Sequence, residues 1–347
     1  MTSALLIGTY TETLPHVDGH ADGVVSAIFD GDIVVEATVA AKLTNPSWLT
    51  ATADGSRVYA VEEAAPDGRV AAFARDTSGA LNALGTVSVG GAEPAHLTLD
   101  PSERFVLVGA YGGGSIAVFA LAEDGALGDR VAFVQHEGSG PDARRQEGPH
   151  VHNLVFDPET SELAVVDLGL GQVLFYSFGE DGALTLRPEA TISPGAVGPR
   201  HLAFHPDGRH AFVVNELDNT VDVLRRDGDR FVRVGGASTR PEDAAGDSSA
   251  AAIRVSPSGA TVFVTNRGDD TVAVFSFEDS AGLKLVASES TRGKAPRDLI
   301  LTPDARRILI ANQDSDSVAV FSFEEETRSL EFVSLASVPT PVCLRLV

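Results

Sequence analysis

Short apolar runs separated by polar turns recur along the whole chain. Runs such as Phe212-Val213-Val214-Asn215 and Phe263-Val264-Thr265-Asn266 end on a polar residue. A further apolar run follows each, as in Thr271-Val272-Ala273-Val274-Phe275, with Ser317-Val318-Ala319-Val320-Phe321 as another example. β-branched and aromatic residues are enriched within the runs, and Asp-Gly, Pro-Asp-Gly and Gly-Asp-Asp turns divide them. This pattern predicts short strands. No helical period extends beyond about two turns.

The strands belong to a repeat. Pro199-Arg200-His201-Leu202-Ala203-Phe204-His205-Pro206-Asp207-Gly208 parallels Pro296-Arg297-Asp298-Leu299-Ile300-Leu301-Thr302-Pro303-Asp304, and related strings begin at Asn45, Pro94, Pro149 and Ala251. Their spacing of roughly 45 to 55 residues is that of propeller blades. The prediction is an all-β, seven-bladed β-propeller of four-stranded blades, one domain over residues 1–347. Six units are complete. The seventh is split, with strands from Ser3–Thr44 pairing with the closing strand Val342–Val347 and so covering the edge of an open ring. The longest irregular stretches are the loops Thr11–Gly23, Gly138–Gly148 and Arg240–Ser249.

In such a blade the innermost strand A crosses from one face to the other and strand B returns. The start of A and the end of B therefore open onto the same mouth of the central channel. Ser47, Ala95, His152, Arg200, Ala251 and Arg297 occupy equivalent leading positions of strand A. Tyr111, Leu168, Glu216, Arg267 and Gln313 are equivalent at the trailing end of strand B. The mouth should thus gather three arginines, a histidine, a glutamate and a glutamine. Strand alternation predicts that His150 and His152 face opposite ways, so that at most one enters the channel.

Composition narrows the ligand. The 347 residues carry 49 acidic against 26 basic side chains, a formal net charge of -23. Nucleic acid is an excluded partner, because no Lys/Arg cluster offsets that repulsion. An arginine-rich mouth on so acidic a molecule calls for a small anionic ligand, since arginine forks onto carboxylate or phosphate. Glu216 beside Arg200 should stay ionised and could activate a water; His152 is the alternative acid or base. A structural reading competes, in which Arg200 and Arg297 form salt bridges to Asp298 or Glu216 between blades. Cys343 is the only cysteine, so no disulfide or multi-cysteine metal site is expected. The His150-x-His152 spacing lacks companion ligands, so neither metal nor cofactor is expected. The start of the chain lacks the basic and cleavage features of a signal peptide, and no apolar run reaches the ~18 residues of a membrane span. The expectation is a cytoplasmic protein with no membrane partner, a monomer or weak homodimer.

Several strings carry a specific resemblance. They are Gly8-Thr9-Tyr10-Thr11, Asn45-Pro46-Ser47-Trp48-Leu49, Arg145-Gln146-Glu147-Gly148-Pro149-His150-Val151-His152 and Gly198-Pro199-Arg200-His201. Asn215-Glu216-Leu217, Thr265-Asn266-Arg267-Gly268, Pro296-Arg297-Asp298, Ala311-Asn312-Gln313-Asp314-Ser315-Asp316 and Pro341-Val342-Cys343 extend them. In this order, from about Leu5 to Val347, the chain resembles the lactonase family of seven-bladed propellers, which includes 6-phosphogluconolactonases and carboxy-cis,cis-muconate cyclases. The resemblance implies a catalytic set of His152, Arg200, Glu216 and Arg267. Arg254 departs from it, standing where relatives usually carry histidine. The implied chemistry is metal-independent lactone hydrolysis, first of all that of 6-phosphogluconolactone in the pentose phosphate pathway. Arg297, Gln313, His150, Tyr111 and Arg254 would then contact substrate. Two alternatives stay open: action on another sugar or aromatic-acid lactone in either direction, and a non-enzymatic binding platform. Phe263-Val264-Thr265-Asn266 resembles the repeats of such platforms.

Overall fold

The computed structural model describes residues 2–347. Seven four-stranded antiparallel sheets make up the ring. The first complete blade comprises Leu49–Ala51, Arg57–Glu62, Arg69–Arg75 and Leu81–Ser88. The fourth comprises Pro199–Phe204, His210–Asn215, Thr220–Asp227 and Arg230–Ser238. Besides strands there are two single-turn 3-10 helices, at Pro188–Ala190 and Gln313–Ser315, and a small hairpin of Thr13–Leu14 with Val17–Asp18.

Each sheet is covered on both faces by its neighbours, which is why the inner strands read as unbroken apolar runs rather than alternating ones. Phe105–Ala110 is buried at every position, whereas the outer strand Leu127–Gln135 alternates toward solvent. The core is a set of wedges between blades. In one, Phe212, Val214, Val221 and Val223 of the fourth blade meet Ile253, Val264, Ala273 and Phe275 of the fifth. Burying a phenylalanine such as Phe212 or Phe275 stabilises by about 1.5–3 kcal/mol.

The ring closes between the chain ends. Ser3–Thr9 pairs on one side with Val24–Phe29 and on the other with Pro341–Leu346, with Leu5 opposite Leu346 and Ile7 opposite Leu344. One irregularity recurs and positions the site. Near its start, strand A of five of the six complete blades is bulged: the register shifts between Pro94 and His96, Val151 and Asn153, Pro199 and His201, Ala250 and Ile253, and Pro296 and Asp298. The residues inserted there include Ala95, His152, Arg200, Ala251 and Arg297. A bulge re-aims its extra side chain and bends the strand.

Candidate active site

One backbone hydrogen bond defines the mouth in blade after blade. The amide just after strand B donates to the carbonyl just before strand A: Glu216 N to Gly198 O at 2.7 Å, Tyr111 N to Glu93 O at 2.8 Å, Gln313 N to Ala295 O at 3.1 Å. The same link joins Glu63 N to Asn45 O at 3.1 Å and Tyr10 N to Thr340 O at 3.2 Å. Glu63 and Tyr10 are therefore the trailing residues of the first and the split blade. Neither is among the residues that the sequence reading put at the mouth.

Glu216 is the hub of one wall. Arg200 Nε and Arg267 Nη2 lie 3.1 and 3.0 Å from its Oε2, and Arg145 Nη2 donates to Oε1 at 2.7 Å. The Glu216 side chain is only 5% exposed. Burial alone would raise its pKa, but Arg267, Arg200 and Arg145 outweigh it and hold the carboxyl well below its ordinary range. Glu216 is thus a permanent carboxylate and a feeble base. The Arg200 guanidinium is itself buried; its Nη1 donates to Ala251 O at 2.7 Å. Three buried donor or acceptor atoms here have no hydrogen-bond partner in the protein: Arg200 Nε, Arg267 Nε and His152 Nδ1. The Arg200 Nε contact with Glu216 has the distance of an ion pair without the alignment of a hydrogen bond.

Arg145 enters from the loop 138–148. It also donates to Tyr111 Oη at 3.3 Å, so it drapes over Glu216 while remaining 42% exposed. The sequence gives an arginine in that loop no geometric reason to reach the mouth.

A second wall forms around Arg297. Its Nη2 donates to Tyr10 Oη at 3.0 Å, and its Nη1 reaches Gln313 Oε1 at 3.4 Å. The Tyr10 hydroxyl in turn donates to the Glu63 carboxylate, 2.9 and 3.0 Å from its two oxygens, and Ser47 Oγ donates to Glu63 Oε2. Burial pushes the Glu63 pKa up, against the opposing pull of Arg297 and the two hydroxyls. The expected salt bridge from Arg297 to Asp298 or Glu216 does not form.

His150 and His152 do not face apart. The bulge at His152 interrupts strand alternation, and both rings pack on Tyr111: His150 stacks at 4.4 Å and His152 meets it edge-on at 5.6 Å. His150 Nδ1 lies 2.9 Å from Tyr111 O and its Nε2 3.2 Å from Glu147, so its orientation is fixed. Burial and the neighbouring Arg200 drive the His152 pKa well below 6.5, which leaves a neutral imidazole at physiological pH. The hairpin after Tyr10 brings in another histidine: His16 meets the Tyr10 ring edge-on at 5.4 Å. Its pKa falls to about 4 through burial of its inner side and through Arg297 and Arg267.

Arg254 forms an ion pair of its own. It lies three residues beyond the leading position Ala251, deeper in the channel, and donates to the buried Asp298 carboxylate at 2.8 Å. There it lines a cavity of about 540 Å³ with Trp48, His96, Asn153 and His201, and His201 joins that cavity to the site, 3.3 Å from Arg200 Nη1 and with its ring 5.2 Å from that of His152. His205, Asp207 and His210 also come together, in a strand-connecting turn at that far end, with one potential ligand atom each within 4.8 Å of the others. They already satisfy one another: His205 Nδ1 accepts from Asp207 N at 3.1 Å and His210 Nδ1 lies 2.8 Å from Asp207 Oδ2. No helix among the described residues is long and apolar enough to cross a membrane.

The profile of the family described as "Lactonase, 7-bladed beta-propeller" matches residues 4–346. A 6-phosphogluconolactonase of Bacillus subtilis (strain 168) is 35% identical over 346 residues, covering 98% of this chain and 97% of that one. Among solved structures, the periplasmic gluconolactonase PpgL of Pseudomonas aeruginosa superposes with a TM-score of 0.92 at 30% identity, covering 100% of this chain and 99% of that one. A Lactobacillus plantarum protein gives a TM-score of 0.92 at 31% identity with full coverage of both chains. The ring of seven blades, its closure by the two chain ends and the match along nearly the whole sequence agree: this chain belongs to the seven-bladed β-propeller lactonase family.

Proposed function

We propose that this protein is a lactone hydrolase that opens 6-phospho-D-glucono-1,5-lactone with water to give 6-phosphogluconate. The observation that carries the reading is the set of unpartnered buried nitrogens of Arg200, Arg267 and His152 beside an ionised Glu216. Buried polar atoms are almost always satisfied, so three unsatisfied nitrogens gathered at one mouth call for a partner that the protein does not supply. The name of the Bacillus relative supports the substrate.

In this reading water attacks the lactone carbonyl carbon while neutral His152 accepts its proton. The negative charge that develops on the carbonyl oxygen falls to Arg200 and Arg267, fixed in place before the reaction. Collapse breaks the ring C–O bond, and His152 returns the proton to the departing alkoxide. Glu216 keeps the guanidinium groups assembled and favours the transient imidazolium. Its oxygens are taken up by three guanidinium contacts, so the proton goes to the unpartnered Nδ1 of His152. Gln313, Tyr111 and His150 hold the sugar, and Arg297 holds the charged end. Guanidinium groups supply the electrophilic stabilisation, so the reading includes no metal. A phosphorylated substrate places the enzyme in the cytoplasm, acting alone on a small molecule.

Unphosphorylated gluconolactone is the second reading, favoured by the name of the Pseudomonas relative. The test is to follow loss of both lactones above their spontaneous hydrolysis, with and without a chelator. The proposal expects catalysis that survives the chelator and a preference for the phosphorylated lactone. Loss of the phosphorylated lactone at the uncatalysed rate only would sink it.

A further inference from the structure

The four mouth arginines are not equivalent. Arg145, Arg200 and Arg267 all spend charge on the one carboxylate of Glu216. Arg297 has no carboxylate within ion-pair distance among the described residues; its neighbours are a phenol and an amide. Glu63, the nearest compensating charge, is held back by a layer. Both of its oxygens accept from Tyr10, and Ser47 donates to it as well. Tyr10 thus stands between the two charges, donating to Glu63 and accepting from Arg297. Its ring also lies beneath the guanidinium, 5.3 Å from centroid to Cζ.

The consequence is a cation kept charged and oriented but not neutralised. Burial works against the Arg297 charge, yet Tyr10, Glu63 and Glu216 raise its pKa overall. A guanidinium has five N–H donors, and two contacts leave most of the fork unused. Across both walls, four guanidinium groups meet two carboxylates. The rim carboxylate Glu147 is 58% exposed and screened by solvent. The surplus of guanidinium over carboxylate lies on the Glu216 wall; what sets Arg297 apart is a fork with no carboxylate on it, free to take the oxygens of an anionic ligand.

We infer that Arg297, oriented by Tyr10 and the Ser47–Glu63 pair behind it, is the subsite for the phosphoryl group of a sugar-acid ligand. The Glu216 wall is left for the reacting carbonyl. Tyr10 and Glu63 are positioning residues, since they act through Arg297. The inference rests on the lactonase reading for the identity of the molecule that carries the phosphate.

The experiment compares binding of 6-phosphogluconate and gluconate by calorimetry, with inorganic phosphate as competitor, and measures kcat and KM for the two lactones. Wild-type protein should bind 6-phosphogluconate at least about tenfold more tightly than gluconate, and inorganic phosphate should compete with the former. Arg297→Gln should abolish most of that preference, and Arg297→Lys should recover part of it, because charge returns without the fork. Tyr10→Phe keeps the ring and removes the hydroxyl. It should lower the ratio of kcat/KM for phosphorylated over plain lactone, with the loss residing in KM. Circular dichroism and melting confirm that each variant is folded. A folded Arg297→Gln protein with undiminished preference for the phosphorylated ligand would overturn the inference, as would equal binding of both acids by the wild type. Should phosphate preference depend on Arg297 while neither lactone is hydrolysed, the subsite stands and the lactonase reading falls.

Discussion

Arg267 and Glu216 face each other across a blade boundary, with Arg267 Nη2 3.0 Å from Oε2 of the glutamate. Arg200 approaches the same oxygen from within Glu216's own blade, at 3.1 Å. Two guanidinium groups would repel each other at this separation, so the shared carboxylate is what permits both to stand at the mouth. The pairing decides the role of Glu216: a carboxylate that neutralises arginines cannot also be a strong base.

Glu216→Gln should therefore damage the fold as well as the reaction. Removing one partner of a buried ion pair leaves uncompensated charge and typically costs about 3–5 kcal/mol. We expect a loss of that order in urea unfolding and a fall in kcat/KM of at least about 10²-fold, on the scale of a lost preorganised electrostatic contribution. A variant of wild-type stability and turnover would remove Glu216 from the centre of the site.

The same carboxyl sets a pH dependence. Its pKa in the folded protein lies far below its ordinary value of 4.5. A depressed carboxyl pKa adds stability that is fully present above the unfolded value and drains away as the pH falls toward the folded one. The stability gap between wild type and Glu216→Gln should be widest near pH 6–7 and shrink steadily below about pH 4.5. Urea midpoints at stepped pH check this; a gap independent of pH would contradict it.

Arg254 should matter to folding rather than to substrate. Arg254→Gln takes away the ion-pair partner of the buried Asp298, which still accepts from the Leu344 amide at 2.9 Å. Destabilisation of roughly 3 kcal/mol is expected by the same rule for broken buried pairs. KM for the lactone should stay within about twofold of the wild type, a margin under 0.5 kcal/mol. A large KM effect without loss of stability would bring Arg254 back into the substrate site.

Closure of the ring can be tested at the last strand. Deleting residues 341–347 strips Ser3–Thr9 of its inner neighbour and exposes a bare sheet edge. It also removes Leu344 from the wedge between the sixth blade and the split one. Such a chain should aggregate or unfold, as size-exclusion chromatography and circular dichroism would report. A monodisperse, folded product would show that the split blade contributes little.

Much of this molecule could be read from one dimension. The recurring Pro-led strand A and the polar residue ending strand B fix the number of blades. They also place His152, Arg200, Glu216, Arg267, Arg297 and Gln313 near one opening, because repeats in register must present equivalent positions to the same face. Where blades depart from the pattern, that guide fails. Strand C of the first blade opens on Arg69 rather than Thr or Ser, and the split blade has a hairpin after Tyr10. Their trailing residues, Glu63 and Tyr10, consequently have no obvious counterpart in an alignment keyed to that residue. The backbone bond from Glu63 N to Asn45 O, which identifies the trailing residue of the first blade, exists only in the folded ring. Arg145 has no repeat position at all; it meets Glu216, 71 residues away, through a loop whose path depends on the packed ring. The bulges, likewise, turn His152 against the alternation of its strand. Local patterning thus determined the architecture, since each blade obeys short-range rules of strand and turn. Which charges pair, and which arginine remains free for a ligand, was decided only by the closed ring, where side chains from distant blades compete for the same carboxylates.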